Sequence, residues 1–259
     1  MKHCVIFLLA VLPLAAMAQS DDFGFDFSVE AEKKMDKQWS VELEGELRTR
    51  NDAKTNDRWS LGVGVNYKMT KWLKASAGYT FLYDNNERIS YYGATDDEVI
   101  DGDVELGDPK KYARYWASRH RFDFSLTANK KLFGDFKFSL RERWQYTWRP
   151  EYTVDERWSY YAKAYDGKPK TYHGKGKNVL RSRLQVEYDK KGLALTPFAN
   201  MEMFNAWSLQ KVRYHVGVDW KLSKQHTISA FYRYQTVRSD DDDNEPDRHL
   251  IGVGYQLKF

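Results

Sequence analysis

The sequence predicts an all-β fold, a transmembrane antiparallel up-and-down β-barrel of ten to twelve strands, carried behind a cleaved signal peptide. Three observations predict it. Apolar and polar residues alternate at period two in segments of roughly 10 to 14 residues from Phe23 to Phe259, which puts one side chain in two on each face of a strand. The connections between segments are alternately short and long, as in outer-membrane barrels with tight periplasmic turns and larger external loops. Aromatic residues, among them Trp39, Trp59, Tyr67, Tyr79, Tyr83, Trp144, Tyr146, Trp148, Tyr188 and Trp220, fall near the ends of the apolar faces, where interfacial girdles would lie.

The first segment is the export signal. "MKHCVIFLLAVLPLAAMAQS" has a basic Lys2, an apolar run from Val5 to Leu14 and a small-x-small site at Ala16-Met17-Ala18, so residues 1–18 read as a signal peptide and 19–259 as the barrel domain. The run is too short for a membrane helix, which needs about 20 apolar residues. The single cysteine, Cys4, leaves with it, so no disulfide staples the exported chain.

Composition narrows the class further. Aromatics at 16% are too many for a disordered chain, although 30% of residues are charged and mean hydropathy is −0.75. A net charge of +4 is too small to argue for nucleic acid as a partner.

The strands follow in order. Phe23, Phe25, Phe27, Val29 and Ala31 share one face of the first, and Trp39, Val41, Leu43, Gly45 and Leu47 one face of the second. "RWSLGVGVNYKM" and "WLKASAGYTFLY" are the third and fourth, while Phe122, Phe124, Leu126 and Ala128 mark the fifth. The sixth runs from Phe136 to Trp148 and the seventh from Leu180 to Tyr188; further strands cover about 193–204, 212–222 and 226–237, before the terminal "HLIGVGYQLKF". Such lengths suit tilted bilayer-crossing strands of about 9 to 11 residues better than soluble ones of about 5 to 6.

Eleven strands can be read this way, and single-chain bacterial barrels carry an even number. The expectation is therefore ten to twelve, with twelve preferred: either a further strand lies near "RISYYG" inside a long polar connection at 84–117, or one of the eleven segments is a plug. A second long connection is expected at 150–177 and a third in the acidic run "SDDDDNEPD" at 239–247. A soluble sandwich, which also alternates apolar and polar faces, is the competing fold.

The segments "FGFDFSVEAEKKMDKQWSVELEGELRTR", "DRWSLGVGVNYKMTKWLKASAGYTFLY", "RYHVGVDWKL" and "HTISAFYRYQ" resemble an uncharacterised, domain-of-unknown-function family of Gram-negative outer-membrane barrel proteins. The resemblance spans nearly all of residues 19–259. It implies a barrel and an outer-membrane location, and no activity.

With the apolar face turned to lipid, the opposite face fills the lumen with charge: Glu42, Glu44, Glu46, Arg119, Arg121, Arg141, Arg143, Arg181, Arg183, Glu202, Arg213, Asp219 and Arg233, with Asp26, Glu30, Asp123 and Glu187 on the same parity. A symmetric hairpin near Trp207 would set Glu202 opposite Arg213. Glu142 falls on the lipid face, which a bulge at "RERW" would repair. The functional expectation is an outer-membrane barrel that is structural or a narrow, plugged pore, with a small solute as a possible passenger. Expected partners are outer-membrane lipids and lipopolysaccharide, and the barrel-assembly machinery, which would take up the terminal strand through Tyr255, Leu257 and Phe259.

The alternative is a surface binding protein or a lipid-modifying hydrolase. Ser118 and His120 share a face at the rim, but no third catalytic partner is visible, so no enzyme is expected. His173, His215, His226 and His249 lack metal-ligand spacing, and the acidic run lacks the glycine and spacing of a calcium loop, so neither cofactor nor metal is expected. Tyrosines in the long connections suit stacking on a glycan.

Overall fold

A computed structural model of the chain describes residues 22–238 and 246–259. The expected signal peptide and residues 239–245 of the acidic run lie outside the described residues. The strands are β1 Asp22–Lys34, β2 Trp39–Arg50, β3 Thr55–Lys68, β4 Leu73–Tyr91, β5 Pro109–Leu132, β6 Phe136–Arg149, β7 Tyr152–Val154, β8 Trp158–Ser159, β9 Ala164–Tyr165, β10 Lys170–Tyr172, β11 Lys175–Tyr188, β12 Leu195–Ala206, β13 Ser208–Lys221, β14 His226–Val237 and β15 Arg248–Lys258. One helical turn, α1, covers Asp97–Ile100. Among the described residues no helix is long and apolar enough to cross a membrane, a statement that does not bear on strands.

Eleven strands close on themselves. The ring runs β1, β2, β3, β4, β5, β6, β11, β12, β13, β14 and β15, with β4 paired to β5 and β15 paired back to β1, while β8 and β9 extend the sheet from β5. Eleven lies within the expected ten to twelve and one short of the preferred twelve. An alternating chain with an odd number of strands must bring its first and last strands together in the same direction, and β1 and β15 pair in parallel from Asp22 opposite Arg248 to Glu32 opposite Lys258. No separate strand occupies "RISYYG": Arg88 to Tyr91 complete β4, which has 19 residues, and β5 has 24. The connection expected at 84–117 therefore shrinks to 92–108.

Two further connections depart from the expected alternation. At the end of the barrel away from the short turns 35–38, 69–72 and 222–225, β2 meets β3 through Asn51, Asp52 and Ala53, all at positive φ, and β12 meets β13 through Trp207 alone, at φ 68. Asn and Asp tolerate that conformation because their short polar side chains bond locally. Gly24 lies beside the first of these turns, and any Cβ there would collide with the carbonyl oxygen of Thr49, whose hydroxyl instead accepts the N–H of Phe25 at 2.7 Å.

The described residues form two compact units. The larger, residues 22–82, 120–147, 177–238 and 246–259, is the barrel wall and is turned inside out relative to a soluble fold. Leu43, Leu61, Val63, Phe124, Leu140, Leu184 and Val253 are exposed, whereas Asp26, Arg48, Ser125, Gln145, Glu202 and Arg248 are buried. An aqueous sandwich would pay for that exposed apolar surface at roughly 25 cal/mol per Å2; a hydrocarbon surround removes the penalty, which overturns the competing soluble fold. Glycine and phenylalanine complete the inner face: the ring of Phe231 occupies the space that a side chain at Gly252 would need.

The smaller unit, residues 83–119 and 148–176, has its own core of Ala113, Tyr115, Ala117 and Val154. Tyr115 is stacked between Tyr152 and Tyr172, with ring centroids at 4.8 and 5.2 Å. Asp166 is clamped by Lys111 at 2.6 Å and Arg157 at 3.2 Å, and the Lys111 ammonium and the Arg157 backbone N–H hold its carboxyl well below the usual carboxylate range. These three tyrosines are thus spent on one another, which removes them from the set expected to stack on a glycan.

Candidate functional site

The lumen is the candidate site, and strand parity builds it. Along β2, Ser40, Glu42, Glu44, Glu46 and Arg48 point inward between the outward Leu43 and Leu47. Along β6 the inward series is Lys137, Ser139, Arg141, Arg143, Gln145 and Thr147, and along β11 it includes Arg181, Arg183, Gln185 and Glu187. In the ring, β2 and β11 stand five strand steps apart one way and six the other. An acidic wall on β1 and β2 therefore faces a basic wall on β6 and β11.

Glu202 on β12 anchors the basic side. Its Oε1 accepts Arg141 Nη2 at 2.6 Å and its Oε2 accepts Arg181 Nη2 at 2.9 Å, with the carboxylate only 4% exposed. Arg213 lies opposite Glu202 in register, but its Nε donates to Gln235 at 2.7 Å and its guanidinium stacks on Phe204. The facing pair expected from the hairpin is therefore present, reached through a register shift between Phe204 and Asn205, while the carboxylate itself is hydrogen-bonded by arginines of β6 and β11. Phe204 sits between the guanidinium groups of Arg181 and Arg213, at 4.5 and 4.6 Å from its ring centroid. A ring face can screen two cations that would otherwise repel each other.

The network continues around the wall. Arg181 Nη1 also donates to Gln145 at 2.9 Å, Arg143 pairs with Asp123 at 3.5 Å, and Arg183 lies within electrostatic reach of Glu202. Arg233 donates to the Nε2 of His215 and to Asp26 at 2.7 Å. Asp219, on the same inward parity as His215, accepts the Ser229 hydroxyl at 2.6 Å. Arg48 joins Glu46 at 2.8 Å to Asp26 at 3.4 Å, and Arg121 lies within reach of Glu46. Glu42 accepts the Asn66 amide at 3.1 Å. In the smaller unit, Arg119 meets Asp84 and Asn86, each at 2.8 Å. Glu44 is exposed at an inward position.

The outward face carries the remaining sequence candidates. Glu142 is not rescued by a bulge: the inward run Arg141, Arg143, Gln145 is unbroken, and the Glu142 carboxylate instead accepts the Ser182 hydroxyl of β11 at 2.6 Å. His120 Nδ1 lies 2.8 Å from the Tyr79 hydroxyl, with Phe81 and Phe122 beside the pair. On β15, Tyr255 and Leu257 take outward positions, with the Tyr255 hydroxyl at 2.6 Å from His226 Nδ1, and Phe259, just past the strand, is 53% exposed. His249 is buried between Tyr232 and Tyr234. Among the described residues no group of three or more His, Cys, Asp or Glu side chains is placed to hold a metal ion.

Phe198, Phe204 and Phe231 are lumenal residues that counting charges alone misses. Their signal was parity: Phe204 shares the face of Glu202, and Phe231 that of Arg233.

A closed β-ring with an apolar exterior and a charged interior is a transmembrane barrel of the outer-membrane type. Solved structures share the fold. The β domain of the Bordetella autotransporter BrkA matches with a TM-score of 0.50 at 16% identity, over 85% of this chain and 83% of that one. The translocator domain of the autotransporter NalP from Neisseria meningitidis matches with a TM-score of 0.50 at 12% identity, over 87% of this chain and 76% of that one. No curated protein matches the sequence. Within the outer-membrane class, the chain belongs to the family described as protein of unknown function, DUF2490, whose pattern matches residues 23–245.

Proposed function

We propose that the barrel is a narrow, water-filled pore with a transverse field across its lumen. The observation that carries this reading is Glu44, which points inward from the middle of β2 and is nevertheless exposed. Water reaching that carboxylate fits a lumen that side chains narrow without filling. Eleven strands lie between the roughly 8 that leave room only for side chains and the 16 or more that leave a wide channel. The acidic wall of Glu42, Glu44 and Glu46 and the basic wall of Arg141, Arg143, Arg181 and Arg183 would orient a passing solute and slow it.

Planar-bilayer conductance of the refolded protein tests this, after a heat-dependent gel mobility shift shows a closed barrel. Small discrete steps are expected, with ion selectivity that changes when Arg141 and Arg143 are replaced by glutamine. A folded barrel without conductance overturns the pore.

The outward apolar band would contact outer-membrane lipid and lipopolysaccharide, and the exposed Phe259 with Tyr255 and Leu257 would be the assembly machinery's handle. No hydrolytic step is assigned to Ser118 and His120, because the imidazole is engaged by Tyr79. A surface-binding role is favoured by one feature of the smaller unit: Tyr91, Tyr161 and Tyr165 are all more than half exposed. Binding of defined oligosaccharides to wild type and to a Tyr161→Ala/Tyr165→Ala variant tests it.

A further inference from the structure

At the end of the barrel that carries turns 35–38 and 69–72, where the lumenal network ends at Ser40 and Asn66, lies a cavity of about 910 Å3. Five lysines line it: Lys34, Lys37, Lys68, Lys71 and Lys74. Three are placed there by strand parity. Lys34 shares the inner face of β1 with Glu30 and Glu32, Lys68 that of β3 with Asn66, and Lys74 that of β4 with Ser76, whose hydroxyl donates to Asn66 at 2.7 Å. Lys37 and Lys71 stand on the turns.

The two carboxylates of the lining are already committed. Asp36 accepts the backbone N–H groups of Gln38 and Trp39, each at 2.7 Å, and those bonds hold its carboxyl below the usual range. Glu32 accepts the Ser40 hydroxyl at 2.7 Å and faces Lys258 at 3.6 Å. None of the five ammonium groups makes a side-chain hydrogen bond or an ion pair among the described residues. Like charges converging on a concavity repel one another, and low-dielectric walls focus their field on whatever enters.

We propose that this vestibule binds soluble anions bearing two or more phosphate or carboxylate groups. Lysine suits the task because its ammonium is a compact charge on a flexible stem, able to follow oxyanions of differing shape. Gln38, Thr70 and Asn129 add neutral hydrogen-bonding groups to the same lining. The lumenal Ser40 and Asn66 line the cavity on its inner side, where water reaches it, and the outward Trp39 and Leu73 border it on the other. Capture there goes beyond the pore reading and does not depend on whether the barrel conducts.

The test is calorimetric titration of the refolded full barrel in a zwitterionic detergent with sodium pyrophosphate. Binding with Kd below about 1 mM is expected for wild type. A Lys34→Gln/Lys68→Gln/Lys74→Gln variant is expected to weaken it about tenfold or more, the sum of three partly exposed charge contacts. Lys190→Gln/Lys191→Gln/Lys224→Gln, which removes turn lysines outside the cavity, is expected to bind as wild type, and Lys34→Arg/Lys68→Arg/Lys74→Arg to retain affinity if the glutamine variant fails to fold. Absence of binding, or a loss in the cavity variant no larger than in the turn variant, overturns the proposal.

Discussion

Arg233 on β14 sets its Nη1 2.7 Å from Oδ2 of Asp26 on β1, joining residues 207 apart in the chain across the intervening β15. The Asp26 side chain is 2% exposed, and Arg48 is its second partner at 3.4 Å. Removing the acid leaves two guanidinium groups poorly compensated. Asp26→Ala is expected to destabilise the barrel by about 3 kcal/mol, read from the urea midpoint of the heat-dependent mobility shift. Adding Arg233→Met should recover part of the loss, and a single variant as stable as wild type would remove the pair from the account of closure.

Glu202 holds Arg141 and Arg181 together, one on each carboxylate oxygen. Glu202→Gln keeps the shape and deletes the charge, so the basic wall gains an uncompensated positive charge. The reversal potential across a salt gradient is expected to move toward chloride, with the anion-to-cation permeability ratio rising about two- to threefold. An unchanged ratio would show that ions do not pass this wall.

Glu142 faces outward from the middle of β6, where the Ser182 hydroxyl is its one hydrogen-bond partner among the described residues. Acidic residues on a barrel's lipid face cost less than the ~2–4 kcal/mol of a basic one at the midplane. Glu142→Leu is therefore expected to stabilise the protein in phospholipid vesicles by about 1 kcal/mol. Destabilisation would mean that the carboxylate meets something other than lipid.

Asp189, in the turn after β11, accepts Lys221 and Lys131, which pull its carboxyl down to about 2. Its folded value lies below the roughly 3.9 of an unfolded aspartate, so the contribution is present above pH ~4 and is lost as pH falls toward ~2. The pairs are partly exposed, so the effect is local and below about 1 kcal/mol. Hydrogen-exchange protection, measured against the free-peptide rate at each pH, should fall over residues 189–194 in that window, and Asp189→Asn should abolish that fall.

Much of this molecule was legible in its sequence, for a physical reason. In a bilayer barrel every strand has one lipid face and one wet face, so period two is written plainly in segments such as Leu61, Val63, Val65 against Ser60, Gly62, Gly64. The count was harder. Eleven segments were visible, and the even-number rule argued against them because alternation does not encode whether the last strand meets the first head-to-head or head-to-tail. Loop length was also misread, since residues 84–91 and 109–117 are polar and aromatic but remain strand by pairing with each other in β4 and β5. The partner of Glu202 was out of reach, because nothing in the sequence says that β6 and β11 become neighbours across a long insertion.

The parallel closure of β1 on β15 has a consequence for how the protein is born. Every other neighbouring pair in the wall except β6 and β11 is joined by a single connection in the chain, so those hairpins form over short spans at little entropic cost. The last junction has no such help: it must wait until β15 exists, then dock two strands that travel the same way, through slanted bonds that are slightly weaker per residue. Arg233, Arg248 and Gln256, with their partners Asp26, Asp22 and Glu30, therefore act as the clasp of a bracelet, fastened late and expected to come undone first under force.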